Sequence, residues 1–229
     1  MRKTKPWPNA SRERALRESG ANTIIGIDEV GKGSWAGPLV IGIAMLSDDV
    51  IFSDEPALVL GGVRDSKQLV EAKREAMFDQ VAAKCRNWST GLATARECDE
   101  LGMVAAQRLA TTRGFAALGL DLGKVTDPVV DVAVVDGRWD FVSPHARKVL
   151  LEVKADVNCV SVAAASVLAK VTRDRMMRES SSDYPHWHFD TNKGYPCPKH
   201  RAALQGYGPS AIHRTSWAFM PNYVPWLDN

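Results

Sequence analysis

Two apolar, β-branched runs joined by a short, glycine-punctuated turn limit the folds open to this chain. Thr23–Val30 (TIIGIDEV) is apolar until Asp28–Glu29, the turn GKGSWAG follows, and Pro38–Leu46 (PLVIGIAML) is apolar again. Each run has the length of a buried strand. Too little chain separates them for a crossover helix, so the two strands are expected to pair antiparallel. Further along, Glu71–Arg86 has helical periodicity through Ala72, Ala76, Met77, Val81 and Ala82. Trp88–Arg96 alternates loosely and predicts a third strand, and Asp99–Leu120, rich in Ala and Leu, predicts a long helix. Val129–Val135 reads as a β-branched strand ending at Asp136–Gly137, Lys148–Val153 as a short strand, and Val160–Arg178 as a helix. Ser47–Ser66 and Ser180–Pro198 carry the turn formers of loops, and a short helix is expected over Lys199–Tyr207. This order predicts an α/β fold, a mixed β-sheet flanked by helices.

Composition allows such a core and excludes other classes. The chain is 45% hydrophobic and 24% charged, and its 17 Gly and 12 Pro are too few for a collagenous or disordered polymer. The longest apolar stretches, Gly37–Leu46 and Cys159–Ala169, fall short of the ~18 residues of a membrane span, so no membrane association is expected. Cys85, Cys98, Cys159 and Cys197 show neither a C-x-x-C pair nor zinc-ligand spacing. Reduced thiols and a cytoplasmic location follow as expectations. The basic start is read as a solvated arm over 1–22, before a catalytic domain over 23–217 and a tail over 218–229. The formal net charge is only +2, but Lys154–Trp217 holds nine Lys/Arg against five Asp/Glu. That surplus suits a polyanionic partner, and equally a solvated basic face.

Acids recur where apolar strands end: Asp28 and Glu29, then Asp136, with Asp156 just ahead of the helix at Val160. Carboxylates gathered at one sheet edge repel one another unless divalent cations neutralise them. Such hard oxygen ligands suit Mg²⁺ or Mn²⁺. Two ions ~3.5–4 Å apart can activate a water and stabilise a leaving oxygen at phosphorus. A strand-end Asp can equally be a turn former or helix cap. Neighbours on a strand also point to opposite faces, so Asp28 and Glu29 share a site only if the strand ends or twists between them.

The local words are more specific. I-I-G-I-D-E-V-G-K-G-S-W-A-G-P-L-V (Ile24–Val40) closely resembles the first signature of ribonuclease HII. In the family's order follow R-D-S-K-Q-L (Arg64–Leu69), V-V-D-G (Val134–Gly137) and K-A-D with V-S-V-A-A-A-S-V-L-A-K-V-T-R-D (Lys154–Asp174). Tyr184–Pro185, N-K-G-Y (Asn192–Tyr195), K-H (Lys199–His200) and Y-G-P-S-A-I-H-R-T-S-W (Tyr207–Trp217) complete a likeness over about 22–217. The resemblance implies a ribonuclease-H-like fold with a C-terminal helical extension. It implies an endoribonuclease that leaves 5′-phosphates, acting on RNA/DNA hybrids and 5′ to single ribonucleotides in duplex DNA, in replication and repair; a monomer is expected. It makes Asp28, Glu29, Asp136 and Asp156 the catalytic carboxylates, holding two Mg²⁺ or Mn²⁺ ions. It assigns Gly31, Lys32 and Gly33 to recognition of the ribose 2′-OH and Tyr195 to packing on the adjacent sugar. Glycines permit close backbone approach to a sugar, and the 2′-OH is what distinguishes RNA from DNA.

Three positions depart from the family's usual pattern: Lys32 replaces Arg, Gly102 replaces a frequent Asn, and Pro-Cys-Pro follows Tyr195. G-K-G is also common in the related ribonuclease HIII, so an enzyme preferring long hybrids is one alternative. A nucleic-acid-binding module that does not cleave is the other. Lys67, Lys170 and Arg173 are candidate phosphate contacts, against a solvated face as the plain alternative. His186 and His188 read as surface residues, His213 as a buried hydrogen-bonding residue, and Ala163–Ala165 as close helix packing. Ser66 and Ser161 lack His–Asp partners for a nucleophilic triad, and Cys159 and Cys197 need no role beyond packing.

Overall fold

The computed structural model describes residues 7–64, 69–119 and 128–224. Five strands form one mixed sheet in the order β3-β2-β1-β4-β5. They are β1 (Ile24–Val30), β2 (Leu39–Leu46), β3 (Cys85–Ala93), β4 (Val130–Asp136) and β5 (Ala146–Glu152). The strands β1 and β2 pair antiparallel, Gly26 opposite Ala44 and Val30 opposite Val40, as the short turn requires. β1 then pairs parallel with β4, Ile24 opposite Val132, and β4 parallel with β5, Asp136 opposite Glu152. This is the ribonuclease-H-like architecture expected from the motifs.

The helices are α1 (Ser11–Glu18), α2 (Asp48–Ile51), α3 (Pro56–Val59), α4 (Glu71–Ala83) and α5 (Ala95–Ala117), then α6 (Ala155–Asn158), α7 (Val160–Asp183), α8 (Phe189–Asn192) and α9 (Pro198–Tyr207). Strand alternation sends Ile25, Ile27, Ile41, Ile43, Ala133 and Val135 to one face, where Ala106, Ala110 and Phe115 of α5 cover them. The other face packs on α7, whose Ala163, Ala164 and Ala165 are fully buried. A Cβ at Gly26 or Gly42 would lie under 3.0 Å from the α7 backbone at Ser161 or Ala165. Small residues on both sides therefore let helix and sheet approach closely, as the alanine run predicts. The C-terminal part of the chain adds α9 and a 3₁₀ turn at Met220–Asn222, packed around Trp35, Leu204 and Val224.

Several boundaries move. The region expected to be a solvated arm contains α1, docked on the body. Glu13 is fully buried and accepts hydrogen bonds from Ser161 N–H (3.0 Å) and Oγ (2.6 Å) at the start of α7. Arg12 pairs with Glu152, Arg17 with Asp48, and Arg14 donates to the Ile51 carbonyl, so the three arginines of α1 find partners on the protein. Helix α7 runs five residues beyond Arg178, to Asp183, taking the start of the expected loop. α5 starts at Ala95, capped by Thr94 and Glu97, and is broken at Gly102, whose φ of 74° is not helical. Loops read as irregular hold α2, α3 and α8, each a single turn and too short to register as a period. Among the described residues no helix is long and apolar enough to cross a membrane.

Candidate active site

A cavity of about 470 Å³ opens where β1 and β4 end side by side. Its walls are Asp28, Glu29 and Asp136, the turn from Val30 to Gly33, Ser166 and Lys170 of α7, and Tyr195. Asp28 and Glu29 meet there without the strand ending between them, since β1 continues to Val30. Their side chains do diverge: Asp28 faces α7 and is bonded by Ser166, while Glu29 accepts from Gln107 of α5 and pairs with Lys32 at 2.9 Å. Both reach one cavity because they stand at the rim of the sheet. Asp136 Oδ1 accepts the Ala155 N–H at 2.9 Å, which ties the end of β4 to α6. Asp156, buried on α6, does not line the cavity, but its charge is felt at Asp28.

Burial raises the Asp28 carboxyl to about 7, and the nearby charges of Asp136 and Asp156 push the same way, against the opposing bond from Ser166. Among the described residues no three His, Cys, Asp or Glu side chains stand close enough in this arrangement to share an ion. Glu29 is engaged by Lys32 and Gln107, and Asp136 by Ala155. What fits a divalent cation is the donor chemistry: hard oxygens whose mutual repulsion a cation would relieve.

The glycine turn is held from behind. Gly31 has φ of 88°, and a Cβ there would strike Arg173. The Gly31 N–H donates to Tyr195 Oη at 3.1 Å, and its carbonyl accepts from Ser34 Oγ at 2.8 Å. Buried Arg214 donates to the Lys32 and Gly37 carbonyls, both at 3.0 Å. Gly33 meets nothing within 4 Å of where a side chain would begin, so its open side faces the cavity.

Arg173 is a correction to the sequence reading. It is fully buried and donates to the carbonyls of Pro38, Lys193 and Ala36 and to Ser34 Oγ. Sealed from solvent, with four of its five N–H donors spent on the chain behind the turn, it braces the site instead of meeting a phosphate. Lys170 does line the cavity, paired with Asp174 at 2.6 Å and lying 5.5 Å from the Tyr195 ring. Lys67 and Ser66 lie outside the described residues. Arg175 and Arg178, further along α7, are taken up by Glu71 and Glu75 of α4. His186 is exposed and stacks on Tyr207, and His188 occupies a left-handed turn; neither approaches the carboxylate cavity. His213 is buried and hydrogen-bonded, and Ser161 is spent on Glu13. Gln107, Ser166 and Arg214 were missed as site residues. Ser166, a polar residue in the apolar run VAAASVLA, and Arg214, within the word Tyr207–Trp217, left a trace in the sequence; Gln107 left none.

The sheet order, the acidic cavity at its rim and the braced glycine turn together define a nuclease of the ribonuclease H type. Residues 25–220 match the family model for ribonuclease HII. The chain is 39% identical over 222 residues to ribonuclease HII of Streptomyces avermitilis, covering 96% of this chain and 87% of that protein. It is 41% identical over 228 residues to ribonuclease HII of Streptomyces griseus, with the same coverage. Among solved structures it resembles ribonuclease H2 from Pyrococcus horikoshii, with TM-score 0.68 and 28% identity over 89% of this chain and 97% of that one. A ribonuclease HIII crystallised with Mn²⁺ shares the fold, with TM-score 0.62 at 19% identity over 92% of this chain and 72% of that one. The chain belongs to the ribonuclease HII family and is an endoribonuclease. Ribonuclease H activity, directed at RNA/DNA hybrids, is what membership of this family gives.

Proposed function

We propose that this enzyme also cuts duplex DNA 5′ to a single embedded ribonucleotide, removing misincorporated ribonucleotides, and that it acts as a monomer in the cytoplasm. The observation that carries the reading is the turn Gly31–Lys32–Gly33, which presents backbone to the same cavity as Asp28 and Asp136. A lone 2′-OH is read only by groups that touch it. Here those groups belong to a backbone turn locked by Tyr195 at Gly31 and by Arg214 at Lys32. Tyr195 presents its ring to the flanking sugar, and Lys170 offers a charge to a phosphate.

Asp28, Glu29, Asp136 and Asp156 would hold two Mg²⁺ or Mn²⁺ ions. When bound, such ions polarise the phosphodiester and favour both attack by water and departure of the 3′ oxygen. The chain's own part is to hold the carboxylates in place. Ser166 bonds Asp28, Gln107 and Lys32 hold Glu29, and the Ala155 N–H fixes Asp136.

The test is a gel assay on a DNA duplex with one ribonucleotide and on an all-RNA/DNA hybrid, with and without Mg²⁺ or Mn²⁺. Cleavage 5′ to the lone ribonucleotide is expected. Cleavage of the hybrid alone would indicate a ribonuclease HIII-like preference, and binding without cleavage a non-cutting module. Asp136→Asn removes a ligand charge without volume and is expected to lower kcat by at least about 100-fold while duplex binding survives. Near-wild-type turnover in saturating Mg²⁺ would take Asp136 out of the site.

A further inference from the structure

Behind Tyr195, outside the carboxylate cavity, two buried histidines meet edge to edge. His213 and His200 are 4% and 0% exposed, and their Nε2 atoms lie 2.9 Å apart. Two ring nitrogens at that distance need one proton between them, and the surroundings decide which ring carries it. His213 Nδ1 lies 2.9 Å from the Ser210 backbone N–H, a donor that cannot reverse. The Ser210 hydroxyl, at 2.8 Å, adds a second group on the same nitrogen. Nδ1 of His213 is therefore an acceptor, and its neutral ring carries the proton on Nε2. That proton points at His200 Nε2, which must accept it. The His200 proton then sits on Nδ1, 2.9 Å from the carbonyl oxygen of Tyr195. Each link fixes the next, from Ser210 to Tyr195.

Protonating either ring would set N–H against N–H or strand a charge among Trp35, Phe189 and Trp187. Burial accordingly depresses the pKa of both histidines. The far end of the chain of bonds is the site itself. Tyr195 is held through its N–H by the Asn192 carbonyl at 2.9 Å and through its carbonyl by His200, and its hydroxyl accepts from Gly31.

We propose that His213 and His200 form a one-directional hydrogen-bond relay whose task is to fix Tyr195 against the Gly31 turn, making both histidines positioning residues for the substrate sugar. This rests on the reading of Tyr195 given above. The relay explains why two titratable rings are buried where no chemistry occurs. A single histidine facing the Tyr195 carbonyl could flip its tautomer and present a lone pair to it; the second ring, itself fixed by a backbone donor, prevents that.

Two measurements test this. In the ¹⁵N-histidine-labelled whole chain, NMR is expected to show His213 as the Nε2–H tautomer and His200 as the Nδ1–H tautomer; the opposite assignment at either ring overturns the relay, with no variant required. In kinetics, His200→Phe keeps the ring packing but loses the donor to Tyr195. Its kcat/KM on a single-ribonucleotide duplex is expected to fall roughly tenfold, the scale of one lost hydrogen bond. His200→Asn restores a donor near Nδ1 and is expected to recover most of that loss. The same His200→Phe change made in a Tyr195→Ala background should cost less than about twofold, because coupled residues are not additive. Equal losses in both backgrounds, or no rescue by Asn, would reduce the pair to core packing. An enzyme indifferent to Tyr195→Ala would instead overturn the reading of Tyr195 on which the relay depends.

Discussion

At Asp28, burial and the charges of Asp136 and Asp156 act in one direction, raising the carboxyl to about 7. The folded, metal-free chain thus keeps a proton there over a pH range in which the unfolded chain has released it. Stability of the metal-free protein should fall as pH rises from about 4, the ordinary aspartate value, towards about 7. Asp28→Asn has no charge to desolvate. The metal-free variant is expected to melt about 5 °C above wild type near pH 8, with the gap closing near pH 4. Equal melting temperatures at both pH values, followed by calorimetry, would show that the carboxyl is not strained. Two cations on α7 separate in the same spirit. Lys170→Ala should make the slope of log K against log salt shallower by about one unit. Arg173→Ala should leave that slope unchanged and instead cost more than about 3 kcal/mol of stability, because it strips donors from four buried oxygens. A shallower slope in a stable Arg173→Ala protein would return that residue to the phosphate track.

Among the elements, α7 sets the site because the sheet lets it come close. Gly26→Ala would drive a methyl into the Ser161 backbone. It is expected to destabilise by at least about 2 kcal/mol and to lower kcat/KM as well, since α7 carries Ser166 and Lys170. A wild-type urea midpoint would contradict that. The sequence exposes this packing plainly: β1, β2, β4 and α7 are long, apolar runs, and the acids at their ends interrupt the pattern where the cavity opens. What it conceals is polar. α1 is hard to see because its buried residue is Glu13, which periodicity assigns to solvent. Arg173 and Lys170 are one helical turn apart and identical in kind to any pattern, yet one is sealed and one lines the site. Gln107 belongs to the site through the tertiary approach of α5 to β1, and no local signal marks it.

For the molecule as a whole, the site joins parts of the chain that are far apart in sequence. Gly26 pairs with Val134 across the central β1–β4 seam, and Asp156 and Tyr195 come later still. A chain ended at Gly119 retains β1, β2 and β3 but gives β1 no neighbour on its second edge. Such a fragment is expected to self-associate and to show no cleavage. A monomer at micromolar concentration in the ultracentrifuge would argue otherwise.

The parallel seam between β1 and β4 also sets a timetable for biosynthesis. While a ribosome is still making the middle of the chain, the antiparallel strands have emerged with one apolar flank bare, so this is the stage at which a chaperone would be most useful. Asp136 and Asp156 are still untranslated at that stage, so on the function proposed above the growing polypeptide would be inert towards the RNA around it. Nuclease activity would then begin only when the last third of the chain has been made, delayed until then by topology alone.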